Sequence, residues 1–315
     1  MIAIMSCSSM RDKNIVCWGD SLTAPSGGVP LNSNDDSFPS CLYKMLKGNY
    51  GVINLGVGGE DTKTIMGRQG ASPFMLTHDI IYEKGISKKV IGTEEFPPFI
   101  SSIDSSYVYP LLQGGEYVNP IEIQGNLYKL SCESKMSVYN HKIHRNFTYS
   151  LERLDNIEYN DTLRAYSTMT TEAMRSLRGQ YANVFFVGEN DGYKDVDDLI
   201  EQIKLMISYS QSQRYVVVSF HQTNNTIPTI EMMSAMEESL LKEFGNHFLN
   251  LRQALIKECF LSSELLLSSE DSIAMEKGKV PPSLLEKDGI HFTKSTKKLV
   301  AGFVFNKMKD LKYID

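Results

Sequence analysis

The sequence has no stretch approaching the roughly 18–20 consecutive apolar residues needed to cross a bilayer, so the chain as given holds no transmembrane helix. It has no CxxC pair. Its five cysteines, Cys7, Cys17, Cys41, Cys132 and Cys259, are scattered and odd in number, which speaks against zinc or dithiol chemistry and for small buried hydrophobes. It has no long basic run, and 32 lysines and arginines against 38 acids leave a net charge of −6. Such a balance suits nucleic acid poorly, because binding there depends on neutralising phosphates. Internal repeats and low-complexity tracts are also missing, which excludes solenoid arrays and extended disorder.

What remains is a folded chain of 315 residues, 42% hydrophobic and 22% charged, long enough to bury a large core. Strand and helix patterns alternate at both ends, the sign of an α/β architecture with a parallel sheet. The pattern predicts strands over 15–18, 52–55, 184–187, 215–220 and 248–251, with helices over 38–46, 196–208, 229–244 and 294–309. The middle breaks this alternation. Short β-rich runs such as Tyr107-Val-Tyr-Pro, Ile121-Glu-Ile, Leu127-Tyr-Lys-Leu and Phe147-Thr-Tyr are punctuated by Gly114-Gly115, Asn119-Pro120 and Gly125-Asn126. The expected organisation is an N-terminal tail over 1–12, an α/β domain over 13–75 and 154–315, and an inserted small antiparallel β subdomain over 76–153.

The tail holds Ile4-Met5-Ser6-Cys7, which looks like the end of a bacterial lipoprotein signal, although only about five apolar residues precede the cysteine against roughly 7–15 in such a segment. Two readings stand. Either Cys7 carries a lipid anchor on a secreted or cell-surface protein whose start lies upstream, or the tail is an ordinary polar end of a cytoplasmic one.

Four stretches carry candidate chemistry. Ile15–Trp18 is a buried-strand pattern that stops at Gly19 and turns into Asp20-Ser21-Leu22. A serine hydroxyl is a weak nucleophile that needs a base, and the base needs an orienter; the same residues also suit a turn or a helix N-cap. Val52–Leu55 opens into Gly56-Val-Gly-Gly59, where Asp61 stands in place of the third glycine of a GxGxxG fingerprint, so dinucleotide binding fails and a free backbone N–H remains. Val184-Phe-Phe-Val is followed by Gly188-Glu-Asn-Asp191, with Asn190 a neutral amide donor or an Asx-turn residue. Lys287-Asp-Gly-Ile-His291 sets Asp288 and His291 three apart in a glycine-containing loop before the last helix, so one turn can bring acid and imidazole together.

Taken together and in this order, the four stretches resemble the blocks of the SGNH hydrolase superfamily, the GDSL esterase/lipase family, over about residues 13–70 and 180–310. The resemblance implies a three-layer α/β/α, flavodoxin-like fold with a central parallel sheet of about five strands. It makes Ser21 the nucleophile, His291 its base and Asp288 the partner of the base, with the N–H groups of Ser21 and Gly59 and the amide of Asn190 as the oxyanion hole. No metal or organic cofactor is then required. A run like Gly67-Arg-Gln-Gly70 and an Asn119-Pro120 segment are similar to bacterial and phage-associated members with a β-rich insertion. The expected partner is a small-molecule or glycan ester, with an acetylated carbohydrate first; a lysophospholipid or short-chain lipid ester and an inactive glycan-binding module stay open. His141 and His144, three apart in the β-rich region, fall on opposite strand faces and do not form a metal pair.

Overall fold

The computed structural model describes residues 13–25, 35–113, 117–139, 142–155, 159–261 and 268–315. The expected anchor at Cys7 and the reading of His141 lie outside the described residues, as do the side chains of His144 and Cys259.

Five parallel strands, Asn14–Gly19, Gly51–Gly56, Ala182–Phe186, Tyr215–Val218 and Phe248–Leu249, form the central sheet. Numbered along the chain, they lie side by side as 2-1-3-4-5, the flavodoxin-like order. The direction of winding reverses between the first and third strands, which pair from Ile15↔Ala182 to Gly19↔Phe186. Loops leaving those two strands part to opposite faces, and a crevice opens at their carboxyl ends.

The strands form because β-branched and aromatic residues run continuously there, and alternate side chains find cover on both faces. Ile15, Cys17, Val184, Phe186, Val216 and Val218 share one core with Phe38 and Leu42 of the Phe38–Met45 helix and Val300 and Val304 of the Lys294–Asp310 helix. Val16, Trp18, Phe185 and Val217 share the other with Ile65 of Thr62–Gln69, Leu199 and Ile203 of Val196–Ser210, and Met233 and Leu240 of Ile230–Phe244. The result is a three-layer α/β/α arrangement. Ser37, Asp61, Asp195, Thr229 and Thr293 cap their helices by accepting a first-turn N–H.

The helix Thr62–Gln69 was not legible from periodicity. Almost every residue in it is buried, so it lacks the polar face that a 3.6-residue pattern reads. Between it and the third parallel strand the chain is β-rich. Lys88–Thr93, Lys142–Arg153, Asn126–Tyr139 and Ile121–Ile123 form a four-stranded antiparallel sheet in that order, and two small two-stranded sheets accompany it. This region has its own core, including Phe74, Tyr82, Phe99, Tyr128, Tyr149 and Leu151. The expected β-run at Tyr107 is instead irregular, with one bridge from Tyr107 to Ile100. The Asn119-Pro120 peptide is cis.

Candidate active site

The first strand ends at Gly19, and Asp20 makes the turn that presents Ser21. The Asp20 carboxylate accepts the Leu22 N–H at 2.9 Å, while its carbonyl accepts from Thr23 and Ala24 at 3.1 and 2.9 Å. Asn54, from the second strand, holds this turn from the side by donating to the Thr23 carbonyl at 2.9 Å. Gly56 permits the close approach, because a Cβ there would stand 2.2 Å from the Ala24 nitrogen. Ser21 is left half-buried, and its N–H makes no hydrogen bond among the described residues.

The second strand runs into Gly58 and Gly59, the latter at φ +84°, where a side chain would be strained. The Gly59 N–H is likewise unbonded among the described residues. Glu60 is buried against Arg68, with Nε donating to Oε2 at 2.6 Å, and Arg68 Nη2 also donates to the carbonyls of Leu55 and Gly19 at 3.0 and 3.4 Å. Burial raises the Glu60 carboxyl and Arg68 pulls it back, leaving it above the ordinary range. The other Glu60 oxygen accepts the Leu111 N–H at 3.0 Å, so the β-rich region is tied to the sheet edge. Gln113 from the same region grips Gly58 twice, accepting its N–H and donating to its carbonyl, both at 2.8 Å.

Past the third strand, Asn190 donates its amide to the Glu60 carbonyl at 3.2 Å. It makes no Asx-turn bond among the described residues, and the helix that follows is capped by Asp195 instead. Asp191 fixes the loop. Its carbonyl accepts from the Thr62 N–H and hydroxyl at 3.2 and 3.0 Å, and its carboxylate accepts from the Thr226 N–H at 3.1 Å.

Before the last helix, Asp288 and His291 meet as the spacing predicts. Asp288 Oδ2 lies 2.6 Å from His291 Nδ1, and Oδ1 accepts the N–H groups of Ile290 and His291 at 2.9 Å each. The His291 bond and these two N–H donors hold the Asp288 carboxyl down at about 2. A charged acceptor on Nδ1 leaves Nε2 as the open nitrogen of the neutral ring.

Ser21, Gly58, Gln113, Asp288 and His291 line one hollow of about 370 Å³. Gly59 and Asn190 line a neighbouring hollow of about 600 Å³ with Asp61, Glu94, Tyr109 and Phe147. The Gly58–Gly59 peptide joins the two. No hydrogen bond connects Ser21 to His291 among the described residues; serine and imidazole line the same hollow. No group of three or more His, Cys, Asp or Glu side chains able to hold a metal occurs among the described residues, and no described helix is long and apolar enough to cross a membrane.

Sequence reasoning passed over Glu189 and His221. They are buried together behind the site, with Nδ1 of His221 3.1 Å from Glu189 Oε2. The available signal was the strand Tyr215–Val218 running on into Ser219, Phe220 and His221, an apolar run ending in a polar residue at the sheet's carboxyl edge, as in the other blocks.

No protein-family profile matches the chain, and no curated protein matches it in sequence. Among solved structures it is similar to a G-D-S-L family protein from Desulfitobacterium hafniense DCB-2, described as lipolytic, with a TM-score of 0.42 and 12% identity over 94% of this chain and 99% of that one. It is also similar to a carbohydrate acetylesterase family member from Sinorhizobium meliloti, with a TM-score of 0.39 and 12% identity over 95% and 98% of the two chains. At such scores the reading of the site rests on the residues and distances above.

Proposed function

We propose that this protein is a serine ester hydrolase of the SGNH type, working through an acyl-enzyme on Ser21. The observation that carries the reading is the Asp288–His291 pair, closed at 2.6 Å, lining the same hollow as a serine at the sheet's carboxyl edge. His291 Nε2 takes the Ser21 proton as Oγ attacks the ester carbonyl, and Asp288 fixes the tautomer and balances the imidazolium. The N–H groups of Ser21 and Gly59, unbonded among the described residues, and the amide of Asn190 are suited to the oxyanion of the tetrahedral species. Collapse expels the alcohol, protonated by His291; water, deprotonated by the same base, then releases the acid. Turnover of p-nitrophenyl acetate by the wild type and its loss in Ser21→Ala is the direct test, and equal turnover in both would remove the reading.

For substrate, the proposal is an acetyl ester on a carbohydrate. The larger hollow next to Asn190 has aromatic walls in Tyr109 and Phe147 and carboxylates in Asp61 and Glu94. Burial, with the negative charges of Glu94 and Asp61 nearby, raises the Tyr109 hydroxyl above its usual range. Carboxylates accept hydrogen bonds from sugar hydroxyls and aromatic rings take the apolar ring face, whereas a phosphate headgroup meets like charge there. Glu94, Tyr109 and Phe147 belong to the β-rich region, so in this proposal the residues over 76–153 choose the alcohol and the sheet edge does the chemistry.

A further inference from the structure

Behind the proposed site lies a buried histidine that no step above uses. His221 is 2% exposed and packs its ring against Phe292, with centroids 4.5 Å apart. Its backbone N–H and its Nδ1 lie 3.2 and 3.1 Å from the same oxygen, Glu189 Oε2. Its Nε2 lies 2.9 Å from the Ile290 carbonyl. A carbonyl can only accept, so Nε2 carries a hydrogen and donates it to Ile290, while Nδ1 faces the Glu189 carboxyl. Both ring nitrogens are engaged. Burial works to lower its affinity for the proton, but Glu189, the Ile290 carbonyl and Asp20 outweigh burial and raise it.

The neighbours of these partners matter more than the pair itself. Glu189 precedes Asn190, Ile290 precedes His291, and Asp20 precedes Ser21. Asp20 is close enough to feel both charges. Its carboxyl is pushed up to about 7, by burial first and then by Glu189, with the Leu22 N–H and His221 pulling it back. Asn224, three residues beyond His221, donates to the Gly188 carbonyl at 3.0 Å and steadies the same strand end. The Asp288–His291 loop is closed on itself by local bonds, from the Glu286 N–H to the His291 carbonyl and from the Gly289 N–H to the Glu286 carbonyl. The bond from His221 ties that loop to the sheet across 69 residues of sequence.

We propose that His221, held by Glu189, is a positioning residue that anchors the Ile290 carbonyl and thereby sets the distance between His291 and the loop carrying Asn190. The geometry stands by itself; its catalytic consequence rests on the esterase reading. A base displaced by about 1 Å costs on the order of 10²-fold in rate, so this anchor acts on kcat and leaves substrate affinity alone.

The experiment compares His221→Phe, which keeps a ring against Phe292 and removes both ring nitrogens, with His221→Gln, which keeps an amide donor. On p-nitrophenyl acetate, folded His221→Phe is expected to lose about 10–100-fold in kcat with KM within about two-fold, and His221→Gln to recover most of that loss. Wild-type kcat in folded His221→Phe overturns the proposal, and so does an equal loss in the two variants. Hydrogen exchange of the amides over 288–292 reads the anchor without substrate: faster exchange there than in wild type, with the central strands unchanged, is the expected result. If His221→Phe does not fold, His221→Met, which also lacks a donor to the Ile290 carbonyl, takes its place, and wild-type exchange together with wild-type kcat in folded His221→Met overturns the anchor. Should Ser21→Ala prove as active as wild type, the esterase reading falls, while the exchange measurement still judges His221.

Discussion

Two acid–histidine pairs stand within one loop of each other, and they differ in almost everything but chemistry. Asp288 and His291 are three residues apart, with side chains 47% and 41% exposed, and close at 2.6 Å. Glu189 and His221 come from neighbouring strand ends 32 residues apart, have side chains 3% and 0% exposed, and sit at 3.1 Å. The exposed pair is screened by water and adds little to stability. It has one nitrogen to spare, which is what a proton carrier needs. The buried pair has neither nitrogen free, and removing one partner leaves a buried polar group unsatisfied, a cost of roughly 1–3 kcal/mol. Exposure thus separates a group that can exchange a proton from one that can only hold a position.

The largest expected effects fall on the exposed pair and its serine. Ser21→Ala and His291→Ala should each lower kcat/KM for p-nitrophenyl acetate by about 10³-fold or more, whereas Asp288→Asn should keep more activity. Because Asp288 is held at about 2, its ionised form persists across the working range. Its small stabilising contribution is present above the unfolded value of about 4 and is lost only as pH falls through about 2. A loss of activity on moderate acidification that also vanished in Asp288→Asn would contradict this. Next comes Asn190→Ala, expected to lower kcat by about 10²–10³ with KM nearly unchanged; a lower melting temperature with wild-type kcat would leave Asn190 only the structural task of holding the Glu60 carbonyl.

Smaller effects should separate the sheet edge from the β-rich region. Tyr109→Ala and Phe147→Ala should leave p-nitrophenyl acetate within about two-fold while lowering kcat/KM on an acetylated xylooligosaccharide by about ten-fold, near the upper end of one aromatic contact. Equal losses on both substrates would erase the division. The smallest concerns Asp20, whose carboxyl is raised to about 7 in the folded protein. The native state then keeps a proton that the unfolded chain releases above about 4, so stability falls as pH climbs from about 4 through 7. Asp20→Asn keeps an acceptor for the Leu22 N–H and should flatten that slope by a few degrees in Tm, measured by thermal unfolding at pH 5 and pH 8. An unchanged slope would mean the charge lies elsewhere.

Much of this was legible in local pattern. Largely apolar runs at 15–18, 52–55, 184–187 and 215–220 mark strands, and the structure has a strand at each, ending up to two residues earlier for the last. The Asp288–His291 contact was legible because three residues of loop leave the acid and ring little else to reach. The helix Thr62–Gln69 and the pair Glu189–His221 were not. A helix buried on all sides carries no periodic signal, and a buried ion pair carries none before its partners are known.

By itself, the sequence determined the alternation of strands and helices, the polar residues waiting at strand ends, and an acid–histidine pair three residues apart before the last helix, because each depends on neighbours within a few residues. Only the tertiary structure decided that the first and third strands lie side by side with their loops parting, which brings residues 20–21, 189–190, 221 and 288–291 to one edge. It also decided which histidine kept a nitrogen free. Strand order and burial are set by packing across the whole chain, and no local pattern carries them.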